Sequence, residues 1–406
     1  MIRFKKEKSS DASEKQTAKK EKKNPKTLAL SVLKYFLICA IVLMLCFSIF
    51  FGLDSFSLAS VKNWVQTNLL GYNSGDGFPV TYDGESVDFM NFSSENDSPA
   101  VISNTSFMFI SDGGRVLALR QHTFSSPTMK RCGNNFLLFD LGNKSYCTVT
   151  NGTTFSDTMK SSHTIYGGTI ASNGNYAISS DSNGYSSQVT IYDSLHQQLF
   201  KWSSQLYRIN TIAFNSDGTK FIAGGFAAEN GSLKSIIQVF SIYSAEPIAT
   251  FYVSDNLLLD VSFADNDRII AVGDQACFIG NLSDSSIITY EYPSALLSYS
   301  IDPQRGIALC LSASGDNRRS DVYYLDLLGQ ETHIVHYDST VKSLDFSEKG
   351  ILILSETTAQ LYDLSANLVS SAEIGIDSIR AIACDNANGI YVLSHSGVRY
   401  EELVGN

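Results

Sequence analysis

The feature that most constrains this chain is a unit of four short strand-like runs that returns about every forty residues. Its clearest copy begins at Ile209: INTIAFNSDG, then KFIAGG, IIQVFSIY and PIATFYV, the first run ending in a polar turn. The same order recurs as IYGGTIASNG, NYAISS, QVTIYDS and QLFKWSS from Ile165, and as LLDVSFADND, RIIAVGD, ACFIGNL and IITYEY from Leu258. Further copies begin at Leu296 and Val341, and weaker ones at Val87 (VDFMNF, PAVIS, SFMFIS, VLALRQ) and Met129 (MKRCGN, NFLLFDL, SYCTVT, TTFSDTM). A last copy begins at Ile379 and stops after three runs.

Successive starts lie 42, 36, 44, 49, 38, 45 and 38 residues apart. A single four-stranded unit cannot bury both faces of its own sheet, and a period near forty with four strands is the mark of a propeller blade. Eight starts predict an all-β, eight-bladed propeller of four-stranded antiparallel blades over residues 78–406, with seven blades and an irregular first repeat as the alternative. Continuous apolar runs such as ILIL and RIIAV fit blades packed face to face, whose strands are covered on both sides. The final copy lacks its fourth strand. The unassigned stretch PVTYDG, residues 79–84, is expected to supply it, which joins the chain's two ends in one blade and removes two open edges.

Ahead of the propeller, Tyr35 to Leu53 is uncharged, with only Ser48 and Gly52 outside the apolar and aromatic set. As a helix it would reach roughly 28 Å, close to the hydrocarbon thickness of a bilayer, so a transmembrane helix is expected within residues 28–53. Residues 1–53 hold eleven Lys or Arg against four acidic residues, a net of +7; the whole chain is −11, leaving −18 for the rest. Positive charge beside one end of a spanning helix keeps that end in the cytoplasm. The expected arrangement is a disordered basic cytoplasmic tail over 1–27, one membrane span, a linker with a short amphipathic helix over 54–77, and the propeller outside a cell membrane. A cleaved signal peptide ending at Ser57-Leu58-Ala59 is the competing reading, disfavoured because the apolar stretch is long and the site lies well past it.

The acidic exterior argues against nucleic acid as a partner. Five cysteines outside the apolar stretch, Cys132, Cys147, Cys277, Cys310 and Cys384, sit in strand-like contexts without short spacings and read as small core residues, although one pair is free to bridge. His333 and His336 lie three apart in THIVHYD, a spacing that on a regular strand points them to opposite faces and so away from a shared metal. Asp181-Ser182-Asn183-Gly184 lacks the later ligands of a calcium loop and reads as a hairpin turn. No nucleophile elbow, phosphate loop or zinc-protease motif is present. No cofactor, metal or catalytic residue is assigned on this basis.

INTIAFNSDGTKFIAGG looks like the inner two strands of a WD40 or quinoprotein-type blade, without the Gly-His and Trp-Asp dipeptides of WD40 repeats, and with only Trp64 and Trp202 there is no tryptophan docking repeat. The lysine-rich tail, the apolar stretch, the G-x-G-F-P entry at Gly75 to Pro79, NFLLFDLG, and QVTIYDS followed by KWSS resemble an uncharacterised family, a domain of unknown function, of membrane-anchored extracytoplasmic propellers from Gram-positive bacteria. The resemblance implies a compartment and a fold, and no catalytic residues.

Aligned on their first apolar residue, the inner strands of four neighbouring blades carry Asp88, Lys130, Lys342 and Arg380 at the second position, near the expected mouth of the central channel. These four are the candidate ligand-binding residues, read as a locally basic sector suited to an anionic group. The function expected is a membrane-tethered binding or scaffolding propeller, non-catalytic, for a protein, peptide or cell-envelope ligand. The alternative is an extracytoplasmic hydrolase or lyase with acid and base drawn from different blade loops.

Overall fold

The computed structural model describes residues 77–313, 316–385 and 388–405. The expected basic tail, membrane helix and linker lie outside the described residues, among which no helix is long and apolar enough to cross a membrane.

Eight antiparallel sheets follow one another along the chain. Blade 1 consists of Phe92–Glu95, Ser98–Ile102, Ser106–Ile110 and Val116–Gln121. The inner strands of blades 2 to 8 are Pro127–Cys132, Ile165–Ile170, Arg208–Phe214, Leu258–Phe263, Leu296–Asp302, Ser343–Ser347 and Ser378–Ala383. The eightfold count has an independent signature in the core. Eight apolar clusters fill the spaces between consecutive blades, and the eighth spans the gap between blade 8 and blade 1.

Strand NFLLFD of blade 2 shows why the strands read as continuous apolar runs. Phe136 and Leu138 pack toward blade 1, while Leu137 and Phe139 pack toward blade 3. Alternate side chains thus enter different cores, and both faces are dry.

Four blades depart from the simple repeat. The inner strand of blade 1 begins at Phe92 rather than at Val87, because Asp88 caps a 3-10 turn over Phe89–Asn91, its carboxylate accepting from the Met90 N–H at 2.9 Å. The outer strand of blade 2 is split into Thr154–Phe155 and Met159–Lys160, both paired with Ser145–Thr150. Blade 8 has three strands, and its outer position is taken by Val80, which exchanges two 2.8 Å backbone hydrogen bonds with Val398. Gly397 is required there, since a Cβ at that position would meet the Val80 carbonyl oxygen at 2.4 Å. Phe78, Val80 and Tyr82 join the core shared by blades 8 and 1, and the Tyr82 hydroxyl donates to the carbonyls of Ser394 and His395. The chain then crosses to blade 7, where Val404–Gly405 adds a fifth strand beside Leu368–Glu373.

The five cysteines are free: Cys132 is half-buried and the other four are buried. Burial pushes the thiols of Cys277, Cys310 and Cys384 up to about 12, so they are inert core groups. Asn183-Gly184 forms the two-residue turn between Tyr176–Ser182 and Tyr185–Tyr192, as expected.

The two histidines do not point to opposite faces as expected. The outer strand of blade 6 carries a bulge at Ile334, where the register steps from Val335 opposite Val322 to His333 opposite Tyr323. The extra residue swings both histidines to the same carboxylate: His336 Nδ1 lies 2.8 Å and His333 Nε2 3.3 Å from Asp321 Oδ1. The cluster is exposed, and no group of three His, Cys, Asp or Glu side chains among the described residues has metal-binding geometry.

Candidate binding site at one mouth of the channel

Every inner strand lines the axis, and five of them share one irregularity. Blades 3, 4, 5, 6 and 8 each have a register shift close to the strand start, at Tyr166, Asn210, Leu259, Leu297 and Ile379. The bulge re-aims the residue that follows it. Those residues are Gly167, Thr211, Asp260, Ser298 and Arg380, and the last three line a cavity of about 230 Å³ in the channel. Tyr299, Ser343 and Asp345 complete its polar wall, while Phe89 and Met90, 46% and 44% exposed, form its rim.

Arg380 is the hub of this cavity. Its Nη1 donates to the Phe89 carbonyl at 2.9 Å, and its buried Nε has no hydrogen-bond partner. Burial lowers the guanidinium pKa, while Asp345, Tyr299 and Asp88 pull it back up. Asp345 is half-buried in the cavity wall. Burial raises its pKa to about 6, against the opposing pull of Arg380 and of the Ala383 N–H that its Oδ2 accepts at 3.0 Å. Burial likewise raises Tyr299, with Asp260 adding to the shift.

Of the four residues singled out by alignment, Arg380 alone lines the cavity. Asp88 stands within electrostatic range of Arg380 and lines an adjoining groove between blades 1 and 2. Lys342 lies just ahead of its strand, and its ammonium is committed to three carbonyls, those of Ile376 and Ser378 at 2.9 Å and of Glu356 at 3.3 Å. Lys130 sits on the inner strand of blade 2 opposite Leu137 and does not line the cavity. Aligning second positions missed Asp260, Tyr299 and Asp345. The available signal was a carboxylate inside an otherwise apolar inner run, as in LLDVSF and SLDFS.

The groove, of about 400 Å³, is lined by hydroxyl groups such as those of Ser86, Ser125 and Thr128, and by Leu141, 40% exposed. Met90 lines groove and cavity alike. At the opposite end of the inner strands lies a wider opening of about 600 Å³ with Phe214, Phe263 and Asn215 in its wall. Its one Arg, Arg131, is consumed by structure: it donates to the carbonyls of Gly133 and Ser98 at 2.7 Å and of Glu95 at 3.2 Å, and stacks over Phe136.

A family model covering residues 79–401 matches the chain. The chain belongs to DUF5711, a family of unknown function. No curated protein matches this DUF5711 chain. Among solved structures, the C-terminal WD40 domain of Sif2 is similar, with a TM-score of 0.55, 12% identity, 81% of this chain covered and 100% of that one. BamB from Moraxella catarrhalis gives a TM-score of 0.50 at 11% identity, with 79% and 98% covered. A chain of the mitotic checkpoint complex gives 0.50 at 13% identity, with 80% and 91% covered. These likenesses establish the propeller fold of the DUF5711 chain.

Proposed function

We propose that this DUF5711 propeller is a non-catalytic binding module, tethered by residues 35–53 to the outer face of a cell membrane, that holds a protein or peptide of the cell envelope. One observation carries the binding reading. In an antiparallel meander the residues ahead of each inner strand and the turns between second and third strands share one end of the ring. That end exposes Phe89, Met90, Leu141, Leu206, Leu259 and Ile376, between 40% and 76% accessible, and two of them, Phe89 and Met90, form the rim of the polar cavity. Exposed apolar side chains grouped around a polar recess are the composition of a protein-interaction surface.

The tether rests on the sequence: nineteen uncharged residues preceded by a strongly basic tail, with the acidic bulk of the chain following. Its expected readout is protease sensitivity of the propeller in intact cells stripped of their wall, with loss of that sensitivity when residues 35–53 are deleted. For the binding reading, the full chain serves as bait in crosslinked intact cells beside a control lacking residues 78–406. Recovery of the same proteins from bait and control overturns it.

A further inference from the structure

The groove between blades 1 and 2 and the channel cavity meet at Met90, and together they fit a ligand of particular shape and charge. The cavity, at about 230 Å³, is smaller than the roughly 300–1,000 Å³ of pockets that enclose whole small ligands. It has room for one long side chain, with the rest of the ligand lying outside in the groove.

Charge decides which side chain. Around the cavity stand three carboxylates, Asp88, Asp260 and Asp345, against one guanidinium, that of Arg380. Arg380 is already within range of Asp345 and Asp88 and spends one nitrogen on the Phe89 carbonyl. Lys342, the other nearby cation, keeps its charge but is turned to three carbonyls and does not line the cavity, and even with it counted the carboxylates are in the majority. The recess is therefore acidic, and its field favours a cation over an anion. Within the cavity wall Asp260 is more available than Asp345: its Oδ1 accepts from the N–H of the next residue, Val261, at 2.9 Å, whereas Asp345 accepts from the Ala383 N–H across to the neighbouring blade.

Resting on the binding reading above, we propose that the ligand is an extended polypeptide segment that lies along the hydroxyl-lined groove, packs an apolar residue on Phe89 and Met90, and inserts a lysine or arginine side chain into the channel toward Asp260 and Asp345. Groove hydroxyls supply hydrogen bonds to a peptide main chain, and the apolar rim shields the inserted charge from water, where a pair of charges interacts more strongly.

The test uses the full chain in detergent micelles and three labelled peptides, acetyl-Ser-Leu-Lys-Leu-Ser-amide and its glutamate and norleucine counterparts, followed by fluorescence anisotropy. The lysine peptide is expected to bind at least tenfold more tightly than either counterpart, and Asp260→Asn to weaken it at least fivefold while leaving the norleucine peptide unchanged. Arg380 and Asp385 act on Asp345, and Asp260 and Tyr299 share its cavity wall; a bound ammonium joining them is expected to lower the midpoint of the Asp345 carboxyl, read by NMR. Equal binding of the lysine and norleucine peptides, tighter binding of the glutamate peptide, or no binding of any of the three overturns this inference. None of those results touches the capture of a partner in intact cells, so the two readings fail separately.

Discussion

The guanidinium of Arg380 on the inner strand of blade 8 and the carbonyl of Phe89 ahead of blade 1 are joined by a 2.9 Å hydrogen bond across 291 positions of sequence. The bond lies where the last blade meets the first, so one side chain both shapes the cavity and helps fasten the ring. Truncation by Arg380→Ala strips the half-buried Asp345 of its countercharge and removes the bond to the Phe89 carbonyl, a loss expected at about 1–3 kcal/mol of unfolding free energy. Urea denaturation checks this. Arg380→Lys should recover part of the loss, because it restores the charge without the fixed fork of donors.

Asp345 should titrate near pH 6 in the folded protein, against an ordinary value of 3.8. Because the folded state holds the proton more tightly, this group's contribution to stability is fully present below pH 3.8 and is lost as pH rises through about 6. The size is on the order of 1–3 kcal/mol, with the slope concentrated between those two values. Carbon-detected NMR of the Asp345 carboxyl gives the midpoint directly, and Asp345→Asn should flatten the stability profile over that window.

Arg131 is expected to be the costliest single truncation outside the channel. Its side chain is 3% accessible, donates to four carbonyls and packs over Phe109 and Phe136, with Glu95 Oε1 at 4.0 Å. Arg131→Met keeps the apolar packing and leaves the carbonyls unsatisfied, so a loss of about 3–5 kcal/mol is expected by urea denaturation.

The seam offers a steric counterpart. Gly397→Ala places a methyl group against the Val80 carbonyl, which must move and break the paired bonds to Val398. Hydrogen exchange should then quicken at Val80 and Val398 and remain slow in the strands of blade 4. A uniform acceleration across all blades would mean that the ring opens as a whole.

Backbone strain gives a prediction of opposite sign. Asp193, Asp326 and Asp363 each accept from the N–H groups two and four residues on, and the residue at the third place is His196, Gly329 or Ala366 in the left-handed region. Glycine is suited to that conformation and alanine is not. Ala366→Gly, at φ 68°, is therefore expected to raise stability by about 0.5–1 kcal/mol, visible as a rise in Tm.

The repeat was legible because each blade must bury both faces of its sheet, which writes runs such as NFLLFD and RIIAV into the sequence at a steady interval. Strand starts were less legible at Val87, where a side-chain cap on Met90 competes with extended structure and turns the chain before Phe92. Bulges were not legible at all. The extra residue at Ile334 brings His333 and His336 together, and the one at Ile379 aims Arg380 into the channel, yet neither alters the apolar pattern that betrays a strand. For the same reason a count of second positions selected Lys130 and Lys342, which stand outside the cavity, and passed over Asp260 and Asp345, which line it.

The central claim is that the strand-start end of the ring is the face that binds. A photoactivatable crosslinker placed singly at Met90, at Ile376, and at Leu328 on the opposite end, in otherwise unchanged full-length protein in intact cells, tests it most directly. The account predicts one shared partner crosslinked from Met90 and Ile376 and absent from Leu328. The same partner captured from Leu328, or from all three positions equally, would contradict it.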